Sequence, residues 1–241
     1  MGFSSSPTTR RPKPAAGTLL EPGRYFSDAV GPALDFRVDD GWVVGAVPEG
    51  PIFVLERTDQ PGTVLTVTRF DGAVFVESCD STSLTNVETT VPRLIEIIAG
   101  NPYLNPAPPE VTEVDSYLGL SLDVATPQFE DCALPYLLLW ALPMEDGPFV
   151  QVGGQQSRFV ALDVDGDVLV IAIESFPGVP FGSLLDHAMD IVDSMRIEPG
   201  DDVLLDASPA PSAVPEPSLA PPPNEPPESP APAQPIGDSS A

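Results

Sequence analysis

Proline limits how much of this chain can fold. The sequence has 241 residues and 32 prolines, and from Ser208 onward roughly one residue in three is proline, with Ala, Ser and Glu as most of the others. Such a segment cannot bury enough apolar surface to offset the entropy cost of ordering its backbone. We therefore predict a disordered N-terminal arm at 1–20, a single folded domain at 21–200, and a disordered Pro/Ala/Glu-rich tail at 201–241 that acts as a spacer.

Alternating apolar and polar residues predict that the folded domain is rich in antiparallel β-sheet. The clearest segment runs from Ser157 to Glu174, where two such runs flank Asp165-Gly166 and predict a hairpin. Asp-Gly pairs also predict tight turns at 40–41 and 71–72. The other strands are expected at Ala33–Val38, Trp42–Val44, Ile52–Leu55, Val64–Phe70, Val74–Val76, Val111–Val114, Leu118–Val124 and Tyr136–Leu142.

Two segments have the apolar spacing of helices. Pro92 to Ala99 carries a broad apolar stripe, has proline in its first position and is stopped by Gly100-Asn101-Pro102. Phe181 to Met195 repeats apolar residues at intervals of three and four, which gives the helix one buried face. The predicted fold class is therefore α+β, with a largely antiparallel β-sheet and two main helices.

The charge of the chain narrows the classes of partner. Its 36 Asp and Glu residues outnumber its 10 Lys and Arg residues, which gives a formal net charge of −26. Nucleic acid is not an expected partner, because phosphate backbones are bound by clustered Lys and Arg. No run approaches the roughly 18 apolar residues of a membrane-spanning helix, and no signal peptide is visible. We expect a soluble monomer without a membrane span.

The two cysteines, Cys79 and Cys132, are the first candidates for covalent chemistry. Neither belongs to a CxxC pair and the chain has one histidine, so a zinc site is not expected. They could be buried free thiols or they could pair. Their polar neighbours, Glu77-Ser78 and Glu130-Asp131, favour pairing over a buried thiol, and nearby carboxylates disfavour a reactive thiolate. A disulfide would indicate an oxidising, extracytoplasmic compartment, and a cytoplasmic location is the alternative because no signal peptide is visible.

Eight short motifs are spread over the segment from Glu21 to Ile197. They are Pro22-Gly23-Arg24-Tyr25, Gly41-Trp42, Cys79, Gly119, Cys132, Leu139-Trp140, Val164-Asp165-Gly166 and Asp193-Ser194. Their layout resembles a set of uncharacterised extracytoplasmic domains from high-GC bacteria. This resemblance implies a disulfide-linked domain, often exported, with no assigned activity. The hairpin followed by a final helix is also similar to the ending of the Mog1/PsbP-like fold.

One acidic turn could hold a cation. Asp163, Asp165 and Asp167 alternate along the chain, and Glu174 follows the first of them by eleven residues, a spacing similar to that of a calcium-binding loop. The glycine that such a loop needs at its sixth position is Val168 here, and strand-like residues follow. Acidic residues at a hairpin tip are therefore the favoured interpretation, with weak surface binding of Ca²⁺ as the alternative. No cofactor is expected.

No nucleophile–base motif or phosphate-binding loop is visible in the sequence, so an enzyme is not predicted. The leading hypothesis is a non-enzymatic, secreted or cell-surface accessory or sensory domain with an unidentified protein partner. The alternative is a binding protein for a small apolar ligand held between sheet and helix. A filled core would favour the first hypothesis, and a dry cavity of about 300 Å³ or more the second. The residues expected to line the cavity are Trp42, Phe70, Trp140 and Phe159.

Overall fold

The structure is a computed structural model that describes residues 11–12, 14–46, 51–80, 82–129, 132–143 and 147–198. Within these ranges the fold is α+β, with mostly antiparallel strands and two helices, as predicted. The predicted tail at 201–241 and the first ten residues of the predicted arm lie outside the described residues. No helix in the described ranges is both long and apolar enough to cross a membrane.

Sixteen strands and two helices form within the described ranges. In chain order the strands are β1 (Arg11–Pro12), β2 (Gly23–Ser27), β3 (Ala33–Val38), β4 (Trp42–Val44), β5 (Ile52–Arg57), β6 (Thr63–Phe70), β7 (Ala73–Phe75), β8 (Leu84–Asn86), β9 (Asn105–Pro106), β10 (Glu110–Val114), β11 (Tyr117–Ala125), β12 (Leu137–Ala141), β13 (Pro148–Gln151), β14 (Gln156–Val164), β15 (Asp167–Ser175) and β16 (Arg196–Glu198). The helices are α1 (Val91–Ala99), between β8 and β9, and α2 (Phe181–Ser194), between β15 and β16.

The largest sheet forms the centre of the domain. Its strands follow the order β10-β11-β14-β15-β6-β5-β4, each antiparallel to its neighbours, and β9 pairs with the end of β11. The hairpin predicted at 157–174 is confirmed as β14 and β15, joined at Asp165-Gly166, where both residues have positive φ. Strands β14 and β15 are buried on both sides because each face of this sheet is covered.

One small sheet and one helix cover each face of the central sheet. On one face, α2 and the sheet β1-β2-β3-β16 enclose a core that includes Phe36 and Ile171, called here the α2-side core. On the other face, α1 and the sheet β13-β12-β7-β8 enclose a core that includes Leu94 and Trp140, called here the α1-side core. We call the second small sheet the α1-side sheet. The domain therefore has two cores separated by one sheet.

The two predicted Asp-Gly turns carry the chain from one sheet to another. Asp40-Gly41 follows β3, which pairs with β2 and β16, and leads into β4 of the central sheet. Asp71-Gly72 leads from β6 of the central sheet into β7 of the α1-side sheet. Neither turn joins two paired strands. Turn residues fix the local direction of the backbone, but they do not determine which strand becomes the partner.

The helix bounds agree with the predicted ones within one residue. The hydroxyl of Thr90 accepts a hydrogen bond from Arg93 N at 3.4 Å and caps α1, and Pro92 lies in the first turn, where its missing N–H is harmless. Both helices bury one face against their own core. The buried residues are Val91, Leu94, Ile95 and Ile98 in α1, and Leu184, Ala188, Ile191 and Val192 in α2.

Part of the predicted N-terminal arm belongs to the folded domain. Residues 14–20 run beside β4, where Gly17 N donates to Val44 O and Leu20 N donates to Trp42 O, each at 2.8 Å. The side chain of Leu20 is buried, and β1 pairs with β2. The domain boundary predicted at 21 is therefore too late, because this segment covers a strand edge that would otherwise be unpaired.

Gly119 in β11 lies where the neighbouring strand leaves no room for a side chain. A β-carbon at this position would be 2.0 Å from the backbone oxygen of Ala161 in β14. We expect Gly119→Ala to lower the free energy of unfolding by about 2 kcal/mol, measured by urea denaturation, because the strand must shift to relieve the overlap. Gly182→Ala in α2 is the control, since its β-carbon would meet no atom within 4 Å and alanine favours helix. Equal stability of the two variants would contradict this explanation.

Candidate functional site

The two cysteines lie at the border of the α1-side core. Cys79 follows β7 and Cys132 precedes β12, and the structure joins them in a disulfide with Cα atoms 5.0 Å apart. The chain next to the disulfide is also paired, since Leu138 N donates to Ser78 O at 2.7 Å. The predicted cysteine pair is therefore present, and it fastens the segment before β12 to the end of β7.

The four aromatic residues predicted to line a ligand site do not lie in one place. Phe70, Trp140 and Phe159 meet in the α1-side core, where the ring centroid of Trp140 is 6.5 Å from that of Phe70 and 5.8 Å from that of Phe159. Phe149 joins this group and stacks on Trp140 at 4.2 Å. Trp42 lies in the α2-side core, on the other face of the central sheet. All four predicted residues are fully buried. The three that meet occupy the space between sheet and helix with their own rings.

The acidic turn between β14 and β15 is an exposed hairpin tip. Asp163 Oδ1 accepts a hydrogen bond from Gly166 N at 2.9 Å, and Asp165 and Asp167 face solvent. Glu174 lies at the opposite end of β15 and is buried, so it does not complete a calcium-binding loop. In the described part of the chain, no group of three or more His, Cys, Asp or Glu side chains is arranged to hold a metal ion. The predicted calcium candidates are therefore not assembled into a site.

An open groove of about 470 Å³ lies on the α1-side sheet. Phe75 of β7 and Leu84 of β8 are directly opposite each other in the ladder, and Leu84 is 51% exposed. Leu138 of β12 is almost completely buried, yet it belongs to neither core, so the groove lies on the face that points away from the α1-side core. The apolar lining residues are Phe75, Leu84, Tyr136, Leu138, Ala141 and Pro148.

The groove was not predicted, and only a slight local signal marks it. Its wall at β8 comes from Leu84, and β8 consists of three exposed residues in a polar stretch without strand-like alternation. The available signal is one leucine among polar residues from 77 to 86. A lone exposed leucine is common on protein surfaces and indicates nothing by itself. Leu84 becomes part of a groove only because Phe75 and Tyr136 approach it in the folded chain.

The chain segments that form the groove carry only acidic charges. No Lys or Arg occurs from 70 to 92 or from 94 to 157, the two segments that contain every strand of the α1-side sheet. Two exposed carboxylates follow these strands closely, since Glu77 comes two residues after β7 and Glu88 two residues after β8. A positively charged ligand would therefore be attracted to this surface.

A buried polar network links the α1-side sheet to the central sheet. Its centre is Glu174 in β15, whose Oε1 accepts hydrogen bonds from Gln151 Nε2 at 2.8 Å and from Gln155 Nε2 at 2.6 Å. Ser157 Oγ donates to Gln151 Oε1 at 2.9 Å, and the side chain of Thr66 also hydrogen-bonds to Glu174. These residues come from β6, β13, β14, β15 and the loop before β14. The network therefore holds strands of two sheets together.

The carboxyl group of Glu174 is enclosed by neutral partners. Burial raises its pKa from the ordinary value of 4.5 to about 8, and the hydrogen bonds from Gln155, Gln151 and Thr66 oppose this rise only in part. The group is therefore mostly protonated at neutral pH. Its hydrogen-bond partners are amide and hydroxyl groups, which suits a structural hydrogen-bonding centre. A general acid or base, in contrast, must reach a substrate.

Comparison with known proteins does not place the chain in a family. A scan against models of protein families found no match, and no curated protein matches the sequence. The resemblance to extracytoplasmic domains and the similarity to the Mog1/PsbP-like fold therefore stay predictions. The groove, the disulfide and the buried network are the features of the molecule that bear on its function.

Proposed function

We propose that this chain is a non-enzymatic extracytoplasmic domain, accessory or sensory in role, that binds a protein partner through the groove on the α1-side sheet. The observation that carries this proposal is the set of apolar side chains that line an open groove. Contiguous apolar surface on a folded domain is a common mark of an interaction site, whereas isolated exposed apolar residues are not. Phe75, Leu84 and Tyr136 supply such surface from three different segments.

The disulfide supports an interaction role and an oxidising location. Cys79 and Cys132 connect the segments that lead from β7 and into β12, and both strands line the groove. A groove held in shape before binding loses less conformational entropy when a partner arrives. Disulfides form and persist in oxidising compartments, which is the support for an extracytoplasmic location.

The positions of the titratable groups favour binding over catalysis. Glu174, with its raised pKa, is enclosed by its own hydrogen-bond partners. His187 on α2 is half-buried, with its Nδ1 3.3 Å from Asp39 Oδ2, and Ser183 Oγ donates to Pro180 O at 3.3 Å. The serine hydroxyl is thus hydrogen-bonded to the backbone at the start of its own helix. This arrangement supports our assignment of a non-enzymatic role.

A small apolar ligand is the second candidate function. The groove volume of about 470 Å³ lies within the range of about 300 to 1,000 Å³ that is typical of ligand sites, and its lining is mainly apolar. The groove is a better location for such a ligand than the predicted aromatic residues. Phe70, Trp140 and Phe159 pack against one another in the α1-side core, where the ligand was expected.

Photo-crosslinking from the groove tests the proposed function. A photoreactive phenylalanine analogue replaces Leu84 in the full chain, produced in its own host. We expect one discrete covalent adduct of higher mass that contains a single protein partner. The same analogue at Val111, an exposed apolar position on β10, is the control and should give no such adduct. Absence of a protein adduct at Leu84 would contradict the proposal, and an adduct of small-molecule mass would favour the apolar-ligand candidate.

A further inference from the structure

We infer that the groove and the outer edge of β8 together bind an extended basic segment of the partner. In this arrangement the segment adds a strand beside β8 and places an apolar side chain in the groove. The inference rests on the proposed function, because it specifies the chemistry of the partner that the groove would accept. Main-chain pairing supplies affinity in this mode, and the pocket supplies specificity.

The pairing of β8 with β7 determines which of its backbone groups are used. Val76 N donates to Ser83 O at 3.0 Å on one side of the paired segment, and Val87 N donates to Gly72 O at 2.8 Å on the other. Bonded pairs alternate with non-bonded pairs along an antiparallel ladder. Both bonds fit one register, in which every second residue of the β8 segment turns its N–H and C=O groups toward β7.

The same register leaves hydrogen-bonding groups on the outer edge of β8. Thr85 is a bonded residue of the ladder, so the N–H and C=O groups of Leu84 and Asn86 point away from β7. The order of the α1-side sheet ends at β8, and no described strand lies beyond it. All three residues of β8 are exposed. An incoming strand could therefore pair with two consecutive outward positions.

Leu84 connects this edge to the groove. Its backbone lies on the outer edge, and its side chain lines the groove opposite Phe75. Side chains of an added strand would alternate between the two faces of the sheet, so every second one would face the groove. A groove of about 470 Å³ has room for a large apolar side chain, with Tyr136 and Pro148 on its walls.

The exposed edge of β8 lacks the features that protect another terminal strand. Sheet edges are commonly protected by charged residues and proline, which oppose the addition of a further strand. β10, at the end of the central sheet, follows Pro108-Pro109 and carries Glu110 and Glu113. β8 consists of a leucine, a threonine and an asparagine, with neither charge nor proline. It is therefore the better edge for strand addition.

The charge around the groove selects the class of partner. Glu77 and Glu88 flank the two strands of the edge, and no Lys or Arg lies in the segments that form the sheet. A second copy of this chain, with its net charge of −26, would bring like charges together. A segment that alternates Lys or Arg with apolar residues would pair its charges with these carboxylates. The partner segment is therefore basic and extended.

A fluorescent peptide of about eight residues, alternating Lys with Val or Leu, is the probe for this inference. Its binding to the full chain is measured by anisotropy. We expect Leu84→Ser and Asn86→Pro each to weaken binding about tenfold, the first by removing apolar contact and the second by removing an outward N–H. Val111→Ser should leave the affinity unchanged. Urea denaturation of each variant shows that the domain remains folded.

A second peptide with the same side chains and alternate backbone nitrogens methylated separates strand pairing from simple charge attraction. We expect this peptide to bind at least about tenfold more weakly. Equal binding of the two peptides, or affinity unaffected by Leu84→Ser and Asn86→Pro, would overturn the inference. A protein crosslinked from Leu84 through a segment without basic residues would also overturn it, but the proposed function would stand. Absence of any protein crosslink would instead refute the proposed function itself.

Discussion

Replacing Cys79 and Cys132 with alanine is expected to lower the free energy of unfolding by on the order of 4 kcal/mol. The disulfide closes a loop of 53 residues, and this loop contains α1 and the strands from β8 to β11. Without the bond the unfolded chain gains the conformational freedom of the whole loop, so the unfolded state becomes more favourable. Urea denaturation of the native chain and the double variant measures the difference.

Reduction of the native chain is the matched control for this prediction. It opens the same loop but leaves both sulfur atoms in place, whereas alanine also removes volume from the buried position of Cys79. The reduced chain and the double variant should therefore unfold at similar urea concentrations, both well below the oxidised chain. If the oxidised and reduced chains unfold together, the bond does not contribute to stability and the support for an oxidising compartment is lost.

The parts of the fold that could be predicted are those with a local cause. The hairpin of β14 and β15 combines alternation with an Asp165-Gly166 turn, and each requirement is met by neighbouring residues. Both helices carry their apolar stripe within one short segment, and α1 also carries its start and stop signals there. In these cases local preference and the final packing agree, so the sequence pattern is sufficient.

The division into three sheets has no local cause. Asp40-Gly41 and Asp71-Gly72 have the same turn chemistry as a hairpin, yet each moves the chain into another layer. β3 pairs with β2, its neighbour in the sequence, but also with β16, which lies at the other end of the folded chain. The three residues of β16 are too few to show a period. Such pairings depend on the simultaneous burial of both cores. The residues that form these cores are spread over the whole folded chain, so no short segment of sequence predicts the pairing.

The candidate site was only partly predictable for the same reason. The cysteine pair could be expected from the polar neighbours of Cys79 and Cys132. The aromatic residues were predicted to line a cavity because their type suits either a ligand or a core, and only the packing of Trp140 against its neighbours distinguishes the two. The network around Glu174 draws side chains from four strands and a loop. Convergence of this kind leaves no motif in the sequence.

Glu174→Gln is expected to remove a loss of stability that the native chain undergoes as the pH rises. In the unfolded chain the carboxyl has its ordinary pKa of 4.5, and burial raises the pKa to about 8 in the folded chain. Below 4.5 both states hold the proton. Between the two values unfolding releases it, so each further pH unit favours the unfolded state by about 1.4 kcal/mol. Above 8 both states are ionised and the loss stops.

The stability difference between the variant and the native chain should therefore grow in favour of the variant by about 3 kcal/mol from pH 4.5 to pH 7. Urea denaturation at a series of pH values measures both curves. Glutamine keeps the oxygen that accepts from Gln151 and Gln155, so the network loses little at low pH. With 36 acidic residues in the chain, only this difference isolates one group, because the other carboxyls titrate in both proteins.

Glu113→Gln, at an exposed position on β10, should follow the native curve. If Glu174→Gln does so too, the carboxyl has the same pKa in the folded and the unfolded chain, and the prediction is wrong.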